Sequence, residues 1–80
     1  MMDPDFIGRM VRFHRKEAGL SRDAMADLSG VGKTSIFAIE HGKATIRLDT
    51  LAAVLKTLNI DVRWVGPLME RFLEVDRADG

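Results

Sequence analysis

Residues 29–36 read Ser29-Gly30-Val31-Gly32-Lys33-Thr34-Ser35-Ile36, SGVGKTSI, and the fold turns on what this octet is. Gly32-Lys33-Thr34 has the letters that end a phosphate-gripping loop, G-x-x-x-x-G-K-[ST], which must follow a buried strand. The first glycine of that pattern would fall at position 27, where the chain carries aspartate and would aim a carboxylate at phosphate. The preceding SRDAMADL (21–28) has helical periodicity, and no parallel sheet fits around it. The loop reading fails on spacing, context and size. What remains is a tight turn at Gly30 leading into a helix.

Upstream of the octet, Ser21 is an N-cap, Asp23 sits favourably in the first turn, and Met25 and Leu28 are expected to face inward. This short helix stops near Ser29, because Gly30 takes positive φ at no steric cost. Before it, Asp3-Pro4 supplies an N-cap and a first-turn proline. Phe6, Met10 and Phe13, with Ile7 and Val11 beside them, then predict an amphipathic helix over 4–18, ended by Gly19. Downstream, a third helix runs from about Gly32 to Glu40, closed by His41-Gly42, and 43–47 form a loop. Leu48, Leu51, Leu55 and Leu58, with Ala52 and Val54, mark a fourth helix, and Asn59 supplies its left-handed cap.

IDVRWV (60–65) alternates and is rich in β-branched and aromatic side chains, which predicts a strand. A lone strand cannot satisfy its own backbone groups. The expectation is therefore an antiparallel pairing with the same strand of a second copy, placing Ile60, Val62 and Trp64 in a homodimer interface. The other reading is an extended tail with Trp64 packed on its own domain. Residues 67–80, PLMERFLEVDRADG, read as an acidic tail, a short helix or disordered. The chain thus divides into a helical domain (1–60), a dimerisation strand (60–66) and this tail.

Eighty residues bury only a modest core. The absence of cysteine excludes disulfides and thiolate metal sites, and fits a reducing cytoplasm. No apolar run spans a bilayer, and MMDPDFIG lacks the order of a signal peptide. Nucleophile–base sets, paired carboxylates and metal clusters are missing at useful spacing, so neither an enzyme nor a cofactor is expected. Net charge is zero, but its distribution is uneven. Arg9 to Arg47 hold eight basic against four acidic residues, whereas 48–80 hold four against six. The first part can meet phosphates; the tail cannot.

On a helical wheel, Ile36, Ile39 and Glu40 share one face of the third helix; Lys33, Thr34, Phe37 and His41 share the opposite one, with Ala38 at its edge. Two short helices joined at a glycine turn form a helix-turn-helix, whose second helix enters the major groove of DNA. Gly19-Leu20-Ser21, Ala26, Gly30-Val31, Ile36, Ile39-Glu40, Gly42 and the leucine-rich helix together resemble the Cro/C1-type (XRE) helix-turn-helix family over roughly residues 9–60. The resemblance implies an all-α, four- to five-helix, lambda-repressor-like domain, here with one C-terminal β-strand pairing across a homodimer. Two residues depart from the pattern: Arg22 stands where a phosphate-contacting glutamine is common, and Phe37 where a polar residue is common.

Lys33 and Thr34 are candidates for reading base edges, since lysine donates to guanine O6 and N7 and a threonine hydroxyl serves several bases. Phe37 and Ala38 are candidates for apolar base contact, although Phe37 also reads as core or as a protein contact. Arg22, Ser35, His41, Lys43 and Arg47 are candidate phosphate contacts, which fix register without reading sequence. Glu40 faces inward and needs a partner; the resemblance implies a structural ion pair with Arg15. Four helices followed by an extended segment further resemble HipB-type antitoxins. That likeness implies a dimeric autorepressor of palindromic double-stranded operators, in the bacterial cytoplasm at the nucleoid, that also binds a HipA-like kinase toxin. A stand-alone regulator without a toxin and a protein-interaction module that ignores DNA are the alternatives.

Overall fold

A computed structural model describes residues 2–79. Five helices follow in order: α1 (Pro4–Glu17), α2 (Arg22–Ser29), α3 (Lys33–Glu40), α4 (Leu48–Thr57) and α5 (Met69–Asp79). Their ends obey capping chemistry. The Asp3 carboxylate accepts the Asp5 N–H at 3.0 Å, and Ser21 Oγ accepts the Ala24 N–H at 3.0 Å. Gly30 ends α2 at φ 73°. Asn59, at φ 58°, ends α4 in the left-handed region that asparagine tolerates better than most side chains. Its N–H donates to Lys56 O and the Ile60 N–H to Leu55 O, so two otherwise unpaired carbonyls of α4 are satisfied.

Helices α1 to α4 meet around Val11, Met25, Ile36, Ile39, Val54 and Leu55. Each fully buried member of this set contributes about 1.5–3 kcal/mol relative to exposure. The inward line of α1 differs from the expected one. It runs through Gly8, Val11 and Arg15, while Phe6 and Phe13 stay exposed. Gly8 is the reason. A Cβ there would lie 2.5 Å from the Ile39 carbonyl oxygen and 2.8 Å from that of Glu40, so only glycine lets α1 lie this close to α3. Closing on that line turns Phe13 to the far side of α1. Leu28 and Leu48, expected inside, are also exposed, because each sits at a helix end beyond the reach of the four-helix core.

The strand expected over 60–65 is absent from the single chain. Residues 61–66 carry no regular structure, and the described residues offer no second extended segment to complete a ladder. Ile60 is half-buried beneath the end of α4, whereas Val62, Trp64 and Val65 are exposed. The alternative of Trp64 packed on its own domain is corrected too: the residue is 66% exposed. The tail, expected as short helix or disorder, is the helix α5, which buries none of its residues and makes no extensive packing contact with α1 to α4. The chain is accordingly elongated. Its radius of gyration is 14.7 Å, against about 11.6 Å for a compact domain of this length.

Candidate nucleic-acid interface

The link between α2 and α3 is fixed locally. Ser29 Oγ donates to Met25 O at 2.7 Å and accepts the Val31 N–H at 3.1 Å, holding the turn on either side of Gly30. Gly32 precedes α3 without any side-chain cap, so the first-turn N–H groups of α3 keep no side-chain partner.

The inner side of α3 is anchored by Ile36, Ile39 and Glu40, all buried. Glu40 is the centre of a charged cluster. Arg15 Nε donates to its Oε2 at 2.6 Å and Arg15 Nη2 to its Oε1 at 3.0 Å. Arg22 Nε adds a third bond to Oε1 at 3.2 Å, and Arg15 Nη1 donates to Leu20 O at 2.8 Å. The Glu40 side chain is wholly shielded from solvent and that of Arg15 nearly so. Burial works to raise the Glu40 pKa, but the hydrogen bonds and charge of Arg15, with Arg22 adding, hold it below the ordinary carboxylate value. The hydrogen bond to Glu40 raises the Arg15 pKa in turn, against the opposing effect of burial. No buried side-chain nitrogen or oxygen among the described residues lacks a partner. Breaking the cluster by removing one member would therefore expose the full desolvation cost of the others.

On the outer side of α3, Lys33, Thr34, Phe37 and His41 are exposed, with Ser35 and Ala38 half-buried. Lys33 Nζ lies 3.2 Å from Asp23 Oδ1, with both side chains well exposed, a pair worth little and readily exchanged for another anion. Phe37 is not a bare ring. His41 stacks on it with centroids 3.8 Å apart, and the Arg22 guanidinium lies 5.3 Å from its centroid. The His41 ring is fixed further by Nδ1, 2.8 Å from Phe37 O. Phe37 still keeps 49% of its surface exposed. Arg22 is thus divided between the Glu40 carboxylate and the Phe37 face, and its two Nη groups make no hydrogen bond within the described residues. Lys43 is exposed in the loop after α3, while Arg47, at the N-terminal cap position of α4, is paired with Asp49. Its Nε and Nη2 donate to Asp49 at 3.1 and 2.9 Å. These bonds hold the Asp49 carboxyl below its usual value.

The surface therefore combines an ammonium and a hydroxyl at one helix tip, an aromatic stack along the same side, and arginine and lysine around it. Such groups donate hydrogen bonds and meet anions. Among the described residues no group of three histidines or carboxylates could hold a metal ion, and no helix is long and apolar enough to cross a membrane. Sequence reading alone passed over three features here: Gly8, the double duty of Arg22, and the Phe37–His41 stack. The last had a signal, because residues four apart on a helix are neighbours.

A helix-turn-helix family model matches residues 11–65. The chain is also 38% identical over 64 residues to an uncharacterized HTH-type transcriptional regulator, y4mF, of Sinorhizobium fredii. That alignment covers 80% of this chain and 84% of the relative.

Proposed function

This chain belongs to the helix-turn-helix family of DNA-binding transcriptional regulators, and from that premise we propose a dimeric repressor of its own promoter that doubles as a HipB-like antitoxin. In this reading α3 lies in the major groove. Lys33 donates to guanine O6 and N7, Thr34 bonds a neighbouring base edge, and Phe37 and Ala38 meet a thymine methyl. Arg22, Ser35, His41, Lys43 and Arg47 face phosphates and set the register. The observation that carries the reading is the polarity of α3: Lys33 and Thr34 stand exposed at its start, while Glu40 at its end is sealed in an ion cluster. One end is free to read and the other is fastened to the body.

Two copies pair through residues 60–65, antiparallel across a two-fold axis, with Ile60, Val62 and Trp64 at the seam. The exposed Val62 and Trp64 and the unpaired backbone of this segment support that pairing. The recognition helices then stand about 34 Å apart, one duplex turn or a multiple of it, so the operator is palindromic. The kinase toxin is the second partner, and both meetings take place in the bacterial cytoplasm at the nucleoid. The name of the relative speaks only of transcription regulation, and a solitary regulator without a toxin is the competing reading. A kinase-like gene directly beside this one, whose product co-purifies with it, separates the two.

Fluorescence anisotropy with the chain's own promoter DNA tests the central reading. Specific binding weakens steeply between about 50 and 200 mM salt, as expected when several phosphates are neutralised. Binding that ignores salt, or that treats promoter and scrambled duplex alike, refutes it.

A further inference from the structure

An apolar groove of about 680 Å³ runs along α1 and α4, walled by Phe6, Ile7, Met10, Leu51, Leu55 and Trp64. Nothing among the described residues fills it. Immediately beyond lies α5, an amphipathic helix without a place to rest. Leu68, Met69, Phe72, Leu73 and Val75 share one side, and none of them is buried. Asp76 and Asp79 border that apolar side at its C-terminal end. A helix that buried this side would bring two carboxylates with it, and they would need cations. The groove rim offers Lys56 and Arg63, and Arg9 stands beside it with its guanidinium 5.9 Å from the Phe6 ring centroid.

The surface area points the same way. The chain exposes 6281 Å², about 1,500 Å² more than the ~4,800 Å² of a compact monomer of this mass. Two copies that hid this excess would bury about 3,000 Å² between them, inside the range of obligate homodimers. Few residues separate Trp64, on the groove wall, from the start of α5, and they include a turn in which Met69 N–H donates to Gly66 O. The helix leaves the body there instead of folding back.

We infer that α5 of each copy seats in the α1–α4 groove of the other, a reciprocal exchange that extends the seam formed by residues 60–65. This inference rests on the dimer reading above and adds its own contacts to it.

The chain has no cysteine, so Met10→Cys and Phe72→Cys introduce the only thiols. Mixing the two singly substituted proteins, allowing subunits to exchange and oxidising them gives a covalent Met10–Phe72-position dimer on a non-reducing gel. The doubly substituted chain gives dimer-sized product as well. A doubly substituted chain that closes on itself at monomer mass overturns the inference in favour of its own groove. A dimer by light scattering without any such cross-link overturns it while leaving the strand seam intact; a monomer by light scattering sinks the dimer reading itself. Phe72→Glu supplies an independent check, because Phe72 is exposed in the single chain and its loss leaves α1 to α4 unaltered. It raises the dimer dissociation constant at least tenfold, and an unchanged constant overturns the proposal.

Discussion

Replacing Glu40 with alanine separates structural from DNA-contacting roles at the end of α3. The carboxylate accepts three hydrogen bonds, two from Arg15 and one from Arg22, and its side chain has no solvent exposure. Its removal leaves the Arg15 guanidinium buried with only the Leu20 carbonyl for company. Breaking a buried pair in this way costs about 3–5 kcal/mol, whereas the whole stability of a domain of this length is about 4–12 kcal/mol. At about 4–8 °C per kcal/mol, the melting temperature falls by at least about 12 °C. Circular dichroism melts measure it directly. A fall of less than about 4 °C shows that the cluster does not hold α1 to α3 and refutes the reasoning. The double variant Arg15→Met/Glu40→Leu should recover most of the loss, since both charges leave together. It stays short by the bond to Leu20 O, about 1 kcal/mol. Promoter affinity of the Glu40→Ala protein, measured where it is still folded, is unchanged, because the carboxylate is too deep to touch a duplex.

Other outcomes follow from the same contacts. Gly8→Ala is destabilising by up to about 2 kcal/mol in urea titrations, since overpacking against the α3 carbonyls, about 1–3 kcal/mol, exceeds alanine's helix advantage of about 1 kcal/mol. Acid unfolding has a defined sign: the Glu40 pKa is depressed in the fold, so its contribution is complete above the unfolded value of about 4.3 and is lost as pH falls through the lower folded value. The urea midpoint therefore drops steeply below about pH 4.3, and Glu40→Gln, weaker at neutral pH, shows a flatter acid limb. Lys33→Ala lowers promoter affinity by about 1–3 kcal/mol at the base it reads, with the melting temperature unmoved because its partner Asp23 is exposed.

Helix positions were legible because they are written in local chemistry. Asp3, Ser21, Gly30 and Asn59 each act on backbone groups within four residues of themselves, so a linear reading finds them. Facing direction was less legible. Phe6, Phe13, Leu28 and Leu48 look like core by spacing, yet which side of a helix is covered depends on the neighbour's shape. That shape is set at Gly8 by two carbonyls more than thirty residues away. In the candidate interface, the exposed positions Lys33, Thr34 and Phe37 could be drawn from the helical wheel alone. The division of Arg22 between Glu40 and Phe37 could not, since it joins residues on two helices. The segment 60–65 reads as a strand that needs a second copy, and the single chain leaves it without regular structure, because alternation records which side chains want cover and not where the backbone partner comes from.

The close approach of α1 to the last turn of α3 has an evolutionary consequence. The helix is clamped like a cantilever: rooted where Gly8 and Arg15 grip it, projecting where Lys33 and Thr34 end it. Letters at the root cannot change without loosening the whole fold, while those at the tip can drift at almost no thermodynamic penalty. On the proposed reading of Lys33 and Thr34 as base contacts, a lineage built on this scaffold can rewrite what it binds long before it needs to rebuild what it is.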